Sequence, residues 1–376
     1  MNIPLSAPDI SEEEISAVTA VLRRPQLSLG PELEAFEHDL AAFHGAPDAV
    51  AISSGTAGLH LALITLGIGH SHEVILPSFT FVAVANVILQ IGATPVFADI
   101  DPTTLNLDPA SVRSAITPQT RAIIAVHTFG IPAGMTTLQS IAREHNLFLI
   151  EDACEAIGAR HRGQLAGTFG HLSVFGFYPN KQITTGEGGA ILTQSQEHAT
   201  RLRSLRNQGR VPGSDWLDHH EPGFNYRLSE LACALGRVQL RRLPEFLTLR
   251  TQAAARYNTL LSNIPEIEPP PHTLPGSEIS WFVYVIRLAP GIDRDQVRTR
   301  LAEQDIATGR YFPPIHQQPA WSNSPHARAV DLPITQSIAP RTLALPFFNR
   351  ILPEQQNAVA EALKNAIQHA KTGAKP

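Results

Sequence analysis

From about residue 48 to residue 193 the chain alternates short runs of β-branched and aliphatic residues with stretches of helical periodicity, and this pattern restricts the fold most. "AVAISS" leads into "TAGLHLALITLG" and "EVILP" into "FVAVANVILQIG"; "TPVFADI", "RAIIAVHTF" and "LFLIEDA" follow, each separated from the next by an amphipathic helix or a loop. Antiparallel strands can be joined by a tight turn, whereas parallel strands need a crossover, usually a helix. The alternation therefore predicts an α/β, doubly wound, mostly parallel sheet flanked by helices, with ligands bound beyond the carboxyl ends of its strands.

A chain of 376 residues is long enough for two domains. Residues 228 to 262 read as long helical segments interrupted near Pro244, and the proline-rich "IPEIEPPPHTLPGSE" reads as a linker. Beyond it a smaller α+β domain is expected, with a strand at "SWFVYVIRL", a helix at "DRDQVRTRLAEQ" and a terminal helix near "PEQQNAVAEALKNAIQHA". The expected division is a large domain, with an N-terminal helical segment, over residues 1–245 and a small one over 246–376.

The charge balance, 29 Lys+Arg against 34 Asp+Glu, offers nothing that would draw nucleic acid by bulk field. Glu12, Glu13 and Glu14 stand where a secretory signal would be basic and then apolar, so a cytoplasmic location is expected. The most apolar window, "ANVILQIGATPVF", is broken too early to span a bilayer, so no membrane segment is expected. Cys154 and Cys233 lie far apart without metal-ligand spacing; both are expected to be buried and apolar, and no metal is expected.

Three strand ends carry polar groups where an α/β site opens. In "SSGTAGLH", Ser53, Gly55 and Thr56 occupy a strand-to-helix turn whose free N–H groups and dipole favour a phosphate; an N-cap and a turn glycine explain the same residues equally well. "LFLIEDACEAIGA" ends a strand in Glu151 and Asp152, either a cap or a counter-charge to a protonated ring nitrogen. In "FGFYPNKQITTGEGG", Lys181 lies close to Phe175, Phe177, Tyr178 and Pro179, with Gly186, Gly188 and Gly189 allowing close backbone approach beyond it. Beside aromatic surface an amine loses hydration, which favours the neutral form that attacks an aldehyde.

With these residues in this order, the chain resembles the DegT-type sugar aminotransferases of the pyridoxal 5'-phosphate (PLP) fold type I superfamily. The likeness runs through "SSGTAGLHLAL", "EVILPSFTFVAVAN", "GATPVFADIDPTTLNLDP", "EDACEAIGA", "FYPNKQITTGEGG", "LRNQGR" and "FNYRLSELACALG". The resemblance implies that Lys181 forms the internal aldimine and later moves protons, that Asp152 pairs with the pyridinium nitrogen and that Phe81 stacks on the ring. It also implies that Gly55 and Thr56 cradle the phosphate, and that Asn225 reaches the phosphate of a neighbouring subunit in a homodimer with shared sites. Two positions depart from the common pattern. Gly176 stands where many relatives have a phosphate-binding serine, and Glu155 where many have Gln or His beside the ring hydroxyl.

His127, at the end of "AIIAVH", and Tyr311 and His316, in "GRYFPPIH", are substrate-pocket candidates as readily as packed or surface residues. "RLRSLRNQGR" reads as a helix with a solvated basic face, whose Asn207 and Arg210 could hold a nucleotide diphosphate. The resemblance thus implies amino transfer from an amino acid, glutamate above all, to a nucleotide-linked keto sugar by ping-pong kinetics. A cyclitol aminotransferase would use the same catalytic residues. Sugar dehydratases on this scaffold generally carry histidine in place of the lysine, so Lys181 argues against that reaction. The intact Asp152 and Lys181 argue against a non-catalytic sensory homologue.

Overall fold

The computed structural model describes residues 2–372, except residues 133, 212, 214, 216 and 217. Its strands are β1 (Asp48–Ile52), β2 (Glu73–Pro77), β3 (Thr94–Ala98), β4 (Thr120–Val126), β5 (Phe148–Asp152), β6 (Arg160–His161), β7 (Gln164–Leu165), β8 (Leu172–Gly176), β9 (Gly189–Thr193), β10 (Ile267–Glu268), β11 (Ser277–Glu278), β12 (Tyr284–Leu288), β13 (Arg328–Ala329) and β14 (Thr342–Leu345). Its α-helices are α1 (Glu12–Leu22), α2 (Pro31–His44), α3 (Gly55–Thr65), α4 (Ala83–Gln90), α5 (Pro109–Ala115), α6 (Met135–Glu144), α7 (Gln196–Arg206), α8 (Glu230–Leu261), α9 (Arg294–Ala302), α10 (Pro333–Ile338) and α11 (Pro353–Thr372).

The main sheet runs β1-β9-β8-β5-β4-β2-β3-β13, parallel from β8 to β13, with β9 antiparallel to both β1 and β8. Because β9 alone is reversed, the carboxyl ends of β1, β2, β4, β5 and β8 share one edge of the sheet with the start of β9. The central strands are buried on both faces, as helix-covered parallel strands must be. The sheet and its flanking helices therefore match the expected architecture. The β8–β9 pair is an addition, since its residues carried the lysine motif and gave no separate strand signal.

Pro244 does not interrupt the long helix. α8 continues through it, at the expense of one intrahelical hydrogen bond and a penalty of about 3 kcal/mol. Packing on both sides offsets that cost. Cys233, Leu240, Leu243 and Phe246 join the core beneath α2 and β9, while Ala253, Ala254, Tyr257 and Leu261 join a second core with β12, β14 and α11. We propose the boundary between the two units within this helix, with segments crossing in both directions. Ile3 packs in the second core, and Ile315, Trp321 and Leu332 pack against the main sheet, where β13 adds an edge strand.

Two of the arginines of α7 turn inward, while Arg201 stays exposed beside Glu221. Arg203 pairs with Glu37 and Asp48, and Arg206, 5% exposed, pairs with Glu37 and the Ala51 carbonyl. These contacts tie α7 and α2 to β1; helical periodicity gives no sign of which charged residues find carboxylates across the fold.

Candidate active site

At the shared sheet edge lies a cavity of about 460 Å³, within the range of small-molecule sites. Each wall comes from a different element. The first turn of α3 brings Gly55 and Thr56, the end of β5 brings Asp152 with Cys154 and Glu155 beyond it, and the turn after β8 brings Tyr178 and Lys181. Residues after β2 contribute Thr80 and Phe81. The second unit closes the space with Phe282, Tyr311 and Phe312.

Ser54, one residue later than the Ser53 singled out in the sequence, is the N-cap, its Oγ accepting from Ala57 N at 3.1 Å. Ser53 instead donates its N–H to the Tyr226 carbonyl at 2.9 Å. The N–H groups of Gly55 and Thr56 therefore head an 11-residue helix and favour an anion at its positive end. Gly55 is required by closeness: a Cβ there would lie 2.7 Å from Cys154 Sγ and 3.4 Å from the Gly176 Cα. Gly189 is similarly confined, with the Phe175 carbonyl oxygen 2.6 Å from where its Cβ would be. Cys154 is partly buried against the main core, and its thiol sits between Gly55 and Gly176 in the cavity wall. Burial raises that thiol's pKa well above its ordinary value, and the Asp152 charge adds to the effect.

Asp152 and Glu151 point to opposite faces of the sheet because side chains alternate along a strand. Asp152, 8% exposed, faces the cavity and accepts from Cys154 N at 3.1 Å. Glu151 is fully buried and accepts from Gly167 N, Phe169 N, Gly170 N, Ser173 Oγ and His127 Nε2, the last at 2.8 Å. Against desolvation, these donors hold its carboxyl below the usual range, the His127 bond being the largest of them. His127 is therefore placed outside the cavity: it is 1% exposed and committed to Glu151. The end of a strand was a sound reason to consider it, but alternation turned its ring away.

Lys181 Nζ lies 3.4 Å from Glu155 Oε1 and 4.0 Å from the centroid of the Phe282 ring. Glu155 Oε2 accepts from Phe129 N at 2.9 Å. Burial raises the Glu155 pKa above the ordinary carboxylate value, opposed by the Lys181 charge and the Phe129 N–H. Tyr311 lies in the cavity, its phenol shifted upward by burial and by the nearby Glu155, with a hydrogen bond to Asn180 acting the other way. Phe81 lines the mouth and is 60% exposed.

The other candidates stand elsewhere. His316 Nδ1 meets Ser78 Oγ at 2.6 Å behind the cavity wall, and burial lowers its pKa. Arg210 does not line the cavity. Asn225 is exposed and joined by a backbone bridge to Asn207, so it too lies outside this chain's own cavity. The sequence reading missed Phe282, Phe312, Cys154 and Thr80. Cys154, Thr80 and Phe312 carried a signal, being neighbours of residues already singled out; Phe282 arrives from the other unit through the tertiary fold.

Comparison with known proteins adds an independent finding. Residues 8–364 match the model of the DegT/DnrJ/EryC1/StrS aminotransferase family. The chain is 36% identical to the spore coat polysaccharide biosynthesis protein SpsC of Bacillus subtilis, over 98% of each chain. It is 38% identical to GDP-perosamine synthase of Caulobacter vibrioides, over 97% of this chain and 98% of that one. In three dimensions it resembles Spr1654 from Streptococcus pneumoniae in its PLP form, with a TM-score of 0.93, 28% identity and coverage of 98% of this chain and 100% of that one. A PMP form of the same protein matches as well.

Proposed function

Because the chain belongs to the DegT/DnrJ/EryC1/StrS aminotransferase family, we propose that this PLP-dependent sugar aminotransferase moves an amino group from an amino acid, L-glutamate in our reading, to a nucleotide-activated keto sugar. One observation carries the reading. Lys181, the only lysine or arginine among the described residues lining the cavity, lies 3.4 Å from Glu155 and shares the cavity with Asp152 and the N-terminus of α3.

The residues present fit the cofactor. The Gly55 and Thr56 N–H groups would hold the phosphate, Asp152 the pyridinium nitrogen, and Phe81 one face of the ring. Gly176 supplies no hydroxyl, so the helix end bears more of the phosphate charge here. Glu155, whose pKa burial raises against the Lys181 charge and the Phe129 N–H, would stand beside the ring hydroxyl. Bound there, PLP supplies the electron sink that makes the donor's Cα–H acidic.

The chain's own groups do the rest. Lys181 Nζ would hold the cofactor's aldehyde end and, once displaced by the donor amine, would serve as the base and acid that moves the donor's proton. Glu155 Oε1, 3.4 Å away, balances its charge as it does so. Phe282, Tyr311 and Phe312 keep water from this side. Tyr311 offers a hydroxyl for the sugar.

A second copy of the chain completes the site in our reading. Phe81 and Tyr178 are 60% and 53% exposed at the mouth, and Asn225 is exposed on a segment that does not reach its own cavity. Both observations support a homodimer in which Asn225 of each chain serves the other's phosphate.

The test is direct. Purified protein loaded with PLP and given L-glutamate alone should change its absorbance and release 2-oxoglutarate in a single turnover; a panel of keto sugar nucleotides and keto inositols should then restore the spectrum, with products identified by mass spectrometry. A sequential rate law without a half-reaction would overturn the mechanism, and a response only to keto inositols would overturn the substrate class.

A further inference from the structure

Lys181 does not hold its place through its own side chain alone. Arg250, on α8, is 2% exposed and outside the cavity, yet three backbone carbonyls converge on its guanidinium. Nη1 donates to the Trp281 carbonyl at 3.1 Å and to the Phe282 carbonyl at 3.0 Å, and Nη2 reaches the Lys181 carbonyl at 3.5 Å. The ring of Phe282 is the one lying 4.0 Å from Lys181 Nζ. One buried cation thus grips the backbone of both the amine and the aromatic surface against it.

The neighbouring residue repeats the pattern. Gln182 Nε2 donates to the Glu155 carbonyl at 2.5 Å and to the Ser280 carbonyl at 2.9 Å, and Ser280 Oγ donates to the Ile157 carbonyl at 2.6 Å. Burying a guanidinium among carbonyls without a carboxylate in contact is costly, so a lone structural arginine is a poor solution here. Desolvation indeed lowers the Arg250 pKa to about 10. A planar fork reaching carbonyls of two chain segments at fixed angles is something no aliphatic residue and no lysine can supply.

We propose that Arg250 is a positioning residue for the cofactor lysine: by clamping the carbonyls of Lys181 and Phe282 together, it sets the direction of Nζ and couples the second unit to the reacting end of the first. This rests on the PLP reading above. The segment before β12 belongs to the second unit and the turn after β8 to the main sheet, so any shift between the units reaches Lys181 through this guanidinium.

The experiment compares wild type with Arg250→Met and Arg250→Lys, each loaded with PLP. Three quantities are read: visible circular dichroism per bound cofactor, the rate of cofactor release into excess apo-acceptor, and thermal stability. Wild type serves as the control for the function itself; if it takes up no PLP, the functional reading fails and not this one. With wild type loaded, Arg250→Met should release PLP about tenfold faster, the loss expected for one hydrogen bond to a charged donor, with a clearly weaker dichroic band. Arg250→Lys keeps the charge but not the fork and should fall between. A folded Arg250→Met with wild-type dichroism and release overturns the proposal. So does an Arg250→Lys that matches wild type in both while Arg250→Met fails to fold, because the residue would then be structural only.

Discussion

The close approach of Gly55 to Cys154 yields a prediction with a built-in control. In Gly55→Ala the new Cβ would lie 2.7 Å from Cys154 Sγ, where non-bonded atoms settle at about 3.5–4.0 Å, so roughly 1 Å must be relieved. The Gly176 backbone, with its Cα 3.4 Å from the same point, limits how far α3 can slide. Overpacking of this kind costs about 1–3 kcal/mol. It also pushes the first N–H groups of α3 away from the phosphate position. Cys154→Ala alone removes one buried atom and costs about 1 kcal/mol. The double variant Gly55→Ala/Cys154→Ala removes the collision and should be more stable than the sum of the singles by about 1–2 kcal/mol. Urea denaturation of the four apo proteins gives this coupling, and PLP titration followed by absorbance should show the same order of affinities. Additivity within about 0.3 kcal/mol in stability, together with unchanged PLP affinity in Gly55→Ala, would refute the claim that this glycine is needed for space.

Other outcomes follow from the same geometry. Borohydride treatment of the PLP-loaded protein should fix a pyridoxyl group to the peptide containing Lys181, and Lys181→Ala should neither take the label nor turn over; label on another lysine would dismiss the assignment. Glu155 has a folded pKa above its ordinary 4.5, so its stabilising contribution is complete below about that pH and is lost as the pH rises through the raised value. Glu155→Gln should therefore flatten the decline of apo-protein melting temperature above pH 4.5, and an unchanged slope would remove the argument. Glu14 behaves oppositely: against desolvation, hydrogen bonds from Ser11, Arg242 and Gln239 lower its pKa to about 2. Its contribution, about 1–2 kcal/mol after solvent screening, is present above pH 4.5 and lost as the pH falls through about 2, and acid titration of Glu14→Gln should lack that loss. His127→Ala strips Glu151 of a buried partner and should cost about 3 kcal/mol of stability while leaving the sugar KM of the folded enzyme unchanged; a large KM effect would return His127 to the pocket.

The sequence by itself determined the main sheet and the position of its binding edge, because strand and helix periods are local properties of neighbouring residues and the crossover rule turns their alternation into a parallel sheet. Asp152, Gly55 and Thr56 were candidates for the same reason, lying at a strand end or helix start that the local pattern marks, whereas Lys181, in the turn beyond β8, was picked out by its aromatic and glycine neighbours. What local pattern could not show is which groups meet from distant segments. Pro244 sits within an unbroken helix because packing on two cores outweighs its backbone cost. Arg203 and Arg206 turn inward because Glu37 and Asp48 wait there, and His127 leaves the cavity because Glu151 takes it. Phe282 and Arg250 converge on Lys181 from beyond residue 245, a meeting decided only when the second unit packs against the first and long-range burial selects one arrangement of the chain.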